Sequence, residues 1–306
     1  MLKKLFHAVV AAILIGGYSS AWADAPGAGQ KMTAEQFEAS LKYQSGKIDL
    51  PGGIAGLDLP QTFRYLNPSD ANRLLVDAWG NPPGGTTLGM IIPSDVSPLS
   101  PEGWGVVITY QEDGHVNDDD ASKTNFADLL KQMQEETADE NKERMKQGYP
   151  SMLLSGWAED PHYDQSSHKL YWALDLATGD APEHSLNYNI RVLGRKGVLV
   201  LNAVAGMHQL PTIKTEMQKV IAFTEFKPGN GYADFNSSTD HVAEYGIAAL
   251  VAGGVAAKLG LFAKLFALLI AFKKVVIVGV VALFAAIGKL LGLRKKKEET
   301  APETRE

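Results

Sequence analysis

The feature that most restricts this chain lies at its C-terminal end. From Gly246 to Phe272 it reads GIAALVAGGVAAKLGLFAKLFALLIAF; Lys273-Lys274 follow, then VVIVGVVALFAAIGKLLGL over 275–293, then Arg294-Lys295-Lys296-Lys297. A helix rising ~1.5 Å per residue needs roughly 20 apolar residues to cross ~30 Å of hydrocarbon. Residues 275–293 meet that length, and their one charge, Lys289, is near enough to the end for its stem to carry the ammonium to the interface. The stretch 246–272 is long enough too, but it contains Lys258 and Lys264. A lysine at the bilayer centre costs about 2.5–3.5 kcal/mol, so this helix is expected to span, to lie in the interface or to pack on its neighbour. Positive residues stay cytoplasmic, and the cluster at 294–297 outweighs the pair at 273–274, which favours a cytoplasmic tail over 294–306 and an odd number of spans over a two-span hairpin that would leave the cluster outside. Gly246, Ala249, Gly253 and Ala257 recur at spacings that let helices approach closely, a route to a homo-oligomer.

The N-terminus has the pattern of a secretory signal over 1–23. Lys3-Lys4 is the basic region, 9–15 the apolar region and Ala21-Trp22-Ala23 the small-x-small cleavage pattern. Between signal and anchor, 24–245 is expected to be an exported domain. The chain has no cysteine, so that domain must be stable on its core alone. It holds 17 Lys+Arg against 31 Asp+Glu. Such a balance opposes nucleic-acid binding and electrostatic attachment to anionic lipid, leaving the apolar anchor as its hold on the bilayer.

Within the domain, Thr33 and Gln36 form a capping box for a short helix ended by Gly46. Near-alternating apolar residues from Ile48 to Tyr65, broken by Gly and Pro, predict short strands. A helix is expected from Pro68 to about Ala78, strands over 86–92 and 104–110, and a long helix from Ala121 to Gln147 stopped by Gly148-Tyr149-Pro150. Four strands then follow, over 152–157, 169–177, 185–193 and 198–207, the last two joined by Gly194-Arg195-Lys196-Gly197. A helix from Leu210 to about Ala222 and a strand at 223–226 close the domain. Strands in runs, with helices between the runs, predict an α+β fold with a mainly antiparallel sheet and packed helices, followed by the α-helical membrane anchor.

The strand order, with a short aromatic strand near the end, resembles the sandwich of PsbP and Mog1-like proteins, a likeness that carries no function. WGNPP (79–83), WGVVITY (104–110), NDDDA (117–121), GYP (148–150), GWAEDPHYD (156–164), LNYNIRVLGRKGVLVLN (186–202) and the glycine-rich anchor together resemble a bacterial family of predicted membrane-anchored proteins, a domain of unknown function. The resemblance implies an exported domain on the bacterial inner membrane, facing the periplasm. It brings no catalytic residue and no cofactor.

Three constellations have the residue types for chemistry. His162, Asp164 and His168 are ligand types for a transition metal, but lack the helical spacing and glutamate base of zinc hydrolases; a turn with local hydrogen bonds competes. Asn117 to Asp120, with Asp113 and Asp128, lacks the glycine and terminal glutamate of a calcium loop and suits the capping of the helix that follows. Asn187, Asn189 and Arg191 alternate onto one face of the strand over 185–193, near Tyr188, Arg195 and Asn202. That face could read a carboxylate, phosphate or sugar, or be the wet side of a half-exposed sheet. Trp79, Trp104, Trp157 and Trp172 are expected in the core. No nucleophile triad, phosphate loop or dinucleotide fingerprint is legible. The expected role is a membrane-held domain that binds or scaffolds an envelope protein or small molecule; the alternative is a metal-assisted hydrolase of envelope material.

Overall fold

In the computed structural model, residues 32–252 are described. The signal expected over 1–23, the span over 275–293, the tail over 294–306 and most of 246–272 lie outside them. Among the described residues no helix is long and apolar enough to cross a membrane.

Local chemistry accounts for the order of elements. The Thr33–Gln36 capping box opens α1 (Ala34–Ser40), and β1 (Tyr43–Gln44), β2 (Gly46–Asp49), β3 (Ala55–Leu59) and β4 (Phe63–Leu66) follow. The Asn67 side chain accepts hydrogen bonds from the Ser69 and Asp70 amides to start α2 (Pro68–Arg73). That helix runs into a π turn over Leu74–Ala78, where the Trp79 amide reaches back to the Leu74 carbonyl at 2.9 Å. Next come β5 (Gly89–Pro93), β6 (Gly105–Gln111) and α3 (Phe126–Lys146). Then β7 (Met152–Asp164), β8 (Lys169–Thr178), β9 (Ser185–Leu193) and β10 (Val198–Gly206) form the meander; α4 (Leu210–Ala222), β11 (Thr224–Phe226) and α5 (Ile247–Val251) complete the described chain.

The long helix starts later than the sequence predicts. Residues 121–123 form a single tight turn, and Asn125, rather than the preceding aspartates, caps α3 by accepting from the Ala127 and Asp128 amides. Asp118 and Asp120 are engaged in tertiary contacts instead.

Eight strands form one sheet in the order β1-β4-β5-β6-β10-β9-β8-β7, and β11-β3-β2 form a second. Every pairing between these strands is antiparallel. The predicted α+β architecture is therefore present. Where β5 begins, Gly89 has φ +128°, and a Cβ there would strike the Tyr65 ring, whose hydroxyl donates to the Leu88 carbonyl.

The half-exposed sheet considered for β9 is not what forms: both faces are covered. On one face Leu186, Tyr188 and Ile190 join Leu199, Leu201 and Ala203 under α4 and the three-stranded sheet. The other face carries two apolar clusters. One packs Leu170, Trp172 and Leu174 beneath α3 and residues 243–252; the other packs Met90, Ile92, Val107 and Val204 beneath α1, α2 and the π turn. Burying a large aliphatic side chain is worth ~1.5–3 kcal/mol, so amphipathic helices leave neither face wet. Trp79, Trp104 and Trp172 are buried, and Trp157 is partly buried beside Trp172's cluster.

The start of the 246–272 stretch belongs to this packing. Ile247, Leu250 and Val251 are buried against the sheet. Gly246 is small because Asp120 approaches it, its carboxylate occupying the place of a Cβ, and the same carboxylate accepts from the Ile247 amide at 3.0 Å.

Candidate functional site

A strand buried on both faces ordinarily reads as a continuous apolar run. β9 does not: Asn187, Asn189 and Arg191 point to the second face and are 2 %, 6 % and 9 % exposed. Register gathers further polar groups around them. Trp172, Asn189, Asn202 and Val107 lie in one row across β8, β9, β10 and β6; Arg191 is level with Val200 and Thr109. Gln111, two residues beyond Thr109 on β6, shares this face. The polar strip falls between the two apolar clusters, and we refer to it as the seam.

Hydrogen bonding within the seam is incomplete. Asn189 donates to the Asn187 carbonyl at 3.1 Å and accepts from Arg191 Nη1 at a long 3.4 Å. The guanidinium lies over the Trp172 ring, 4.8 Å from its centroid. Arg191 Nε, Trp172 Nε1, Asn187 Oδ1, Asn202 Oδ1 and Gln111 Oε1 are buried with no hydrogen-bond partner among the described residues. Each such atom costs about 1–3 kcal/mol relative to a paired one. Among the described residues no carboxylate pairs with Arg191. Burial depresses its pKa to about 10, opposed only by the nearby Tyr245 hydroxyl. A fall from 12.5 to about 10 is a penalty of roughly 3 kcal/mol on the charged form. Arg191 thus carries an uncompensated desolvation cost on its charge, offset in part by the Trp172 ring.

Nearby positions named from the sequence go elsewhere. Tyr188 faces the opposite cluster. Arg195 is fully engaged at the surface, with Nε and Nη2 donating to the Asp240 carboxylate at 2.7 and 3.1 Å. Trp172 and Gln111 were missed as seam residues because alternation assigns a face without saying that the face is covered.

His162, Asp164 and His168 do not converge. His162 is half-exposed, stacked on Tyr171 at 4.8 Å and 3.9 Å from Glu159. Both Asp164 oxygens accept from Ser166 and Ser167 within the β7–β8 turn, which holds that carboxyl down at about 2. His168, at φ +51°, turns to the other face of the sheet, where its ring stacks on Tyr232 at 3.9 Å. Among the described residues no group of three or more His, Asp or Glu side chains is arranged to hold a metal ion.

His168 instead joins Asp118, Tyr163 and Tyr232. The Asp118 carboxylate accepts from the Tyr163 hydroxyl at 2.7 Å and the Tyr232 hydroxyl at 3.2 Å, and lies 3.4 Å from His168 Nδ1. Burial raises the Asp118 pKa, but these hydrogen bonds outweigh it and the net shift is downward. Beside this cluster His115 is sandwiched between Tyr232 at 4.3 Å and Phe235 at 4.0 Å. Its backbone amide donates to the His241 carbonyl and its carbonyl accepts from the Ala243 amide, each at 2.8 Å. Burial lowers the His115 pKa, partly offset by hydrogen bonding to the Gly194 and Arg195 backbone and by Asp118, with His168 adding to the lowering. Asp118, Tyr163, Tyr232 and His168 satisfy one another, so this cluster is a clasp for the segment after β11. The seam, with its unpartnered atoms, is the stronger candidate for a ligand.

A family model described as "Protein of unknown function (DUF2167)" matches residues 42–284. No curated protein matches the chain. Among solved structures, the PsbP protein (CyanoP) of the cyanobacterium Synechocystis sp. PCC 6803 is 12% identical with a TM-score of 0.32, the match covering 67% of this chain and 98% of that one. The Ran-binding protein Mog1p of Saccharomyces cerevisiae is 11% identical with a TM-score of 0.33, covering 61% and 96%. Likenesses this weak say nothing about function.

Two outcomes are expected. Arg191→Met removes a buried, uncompensated charge and keeps most of the volume, so chemical denaturation should show a gain of ~1–3 kcal/mol; a loss of that size would mean that Arg191 stabilises the fold. For His115, whose folded pKa is depressed, the unfolded chain binds the proton more readily, so stability is lost as pH falls through the unfolded value of about 6.5. His115→Phe keeps the stack and should flatten the fall in Tm between about pH 7.5 and 5.5; identical falls in both proteins would remove His115 as the cause.

Proposed function

The chain belongs to the DUF2167 family of proteins of unknown function, and for it we propose a binding role: an exported domain, held on the inner membrane by its C-terminal stretch, that captures an envelope component at the seam. The observation that carries this reading is Arg191, a buried cation with no carboxylate partner among the described residues, on a sheet face that also carries unpartnered amide oxygens and an indole N–H. Fold stability alone favours removing such a residue. Its presence is accounted for when a ligand supplies the missing partners, since binding to the folded state returns the free energy that the empty site forgoes.

The absence of a converging metal triad among the described residues favours binding over metal-assisted hydrolysis. The tether follows from the apolar stretches after residue 252 and the basic cluster at 294–297. An acidic domain with 31 carboxylates against 17 cations over 24–245 gains nothing from anionic lipid, so the apolar segments must supply the attachment.

The tether is tested by washing membranes with alkaline carbonate: full-length protein should stay in the pellet, and a reporter fused after residue 240 should be active outside the cytosol. Release into the wash, or a reporter active only in the cytosol, would overturn it. The binding role is tested by native mass spectrometry of full-length protein extracted from its own membranes. Wild type should carry an added small-molecule mass or a stoichiometric envelope protein that the Asn189→Ala/Arg191→Ala variant, still folded by circular dichroism, has lost. Identical spectra would sink the role.

A further inference from the structure

Resting on that binding role, we propose that the seam takes a small monocarboxylate bearing a neighbouring amide, the chemistry of an acylated amino acid or the free C-terminus of a short peptide. The unpartnered atoms define the complement. On Arg191, Nε is unpartnered and Nη1 makes only a long bond to Asn189. A guanidinium edge with free N–H groups receives a planar carboxylate through two parallel hydrogen bonds, with the Trp172 ring already flanking the guanidinium. The Trp172 Nε1–H is a second unpartnered donor, suited to a carbonyl oxygen. Asn202 Oδ1, on the strand beside Arg191 and level with Asn189, is an acceptor suited to an amide N–H or a hydroxyl. A carboxylate next to an amide presents these groups in that combination.

Charge restricts the ligand further. Among the described residues Arg191 is the one cation on this face of β9, and its charge is opposed by burial and favoured by the nearby Tyr245 hydroxyl. A monoanion neutralises it. A phosphate dianion would leave one negative charge uncompensated beside buried side chains, in a domain already acidic. Access is from the β10–β6 side. Asn202 and Thr109 are half-buried, while Val107, Val200 and Arg191 around them are buried, so solvent meets the seam there. The Arg191 end of the seam is closed by residues 243–252, held by Tyr245 donating to Asp113 at 2.8 Å and by the Ile247 amide on Asp120.

The test is calorimetric titration of the full-length protein in detergent with N-acetyl-L-alanine, its C-terminal amide and inorganic phosphate. The acid should bind at least about tenfold tighter than the amide, the ratio expected for a charge-assisted pair. Arg191→Lys should weaken the acid by about tenfold, and Arg191→Gln should abolish the preference for acid over amide. Asn202→Ala should weaken acid and amide alike. Equal binding of acid and amide, no binding of either to wild type, or tighter binding of phosphate would each overturn the proposal. Should these probes fail while wild type still carries a native ligand that Arg191→Gln has lost, the carboxylate assignment falls and the binding role stands. Should wild type carry no ligand at all, both fall.

Discussion

The described structure depends on one constraint: its eight-stranded sheet is covered on both faces. α4 and the small sheet take one side, while α1, α2 and the π turn share the other with α3 and residues 243–252. Coverage makes the apolar alternates of β6, β8, β9 and β10 into core. It also turns the polar alternates of β9 from solvated groups into buried ones. A buried Asn or Arg must find a partner or carry the cost of lacking one. The seam exists because the two covers bury more of the second face than its polar residues can satisfy.

The second cover includes the residues that lead towards the apolar C-terminal stretch. Between β11 and α5 the chain is fixed at Arg195–Asp240, at the His115 backbone, at Tyr245–Asp113 and at Asp120 with the Ile247 amide. Asp118 and His168 hold Tyr232 at the start of the same segment. Aspartates from the 113–120 loop therefore serve this segment and leave the capping of α3 to Asn125. The elements that form the clasp also close one side of the seam, so attachment of the C-terminal segment and burial of Arg191 are parts of one arrangement.

Much of the fold was legible from period and punctuation. Alternation located the strands, Gly194 to Gly197 marked the β9–β10 hairpin, and Thr33 with Gln36 marked α1. The start of α3 was misjudged because Asp, Asn and Ser-Lys sequences before a helix offer several caps of similar strength, and the choice among them was made by Tyr163, Tyr232 and Ile247, far away in sequence. For the seam, alternation put Asn187, Asn189 and Arg191 on one face but could not say what covered it. For His162, Asp164 and His168, proximity in sequence was misleading. The β7–β8 turn sends the two imidazoles to opposite faces and leaves the carboxylate to cap the turn.

The sequence by itself determined the α+β class, the antiparallel strands and the acidic balance, because each is written in local period, turn chemistry or composition. Tertiary structure alone decided that β9's polar face is buried, that Arg191 has no carboxylate partner among the described residues and that Asp118 and Asp120 hold the segment between β11 and α5. Those outcomes depend on which distant side chains arrive to cover or pair a group. Burial, unlike periodicity, is a property of contacts between residues that the chain keeps far apart.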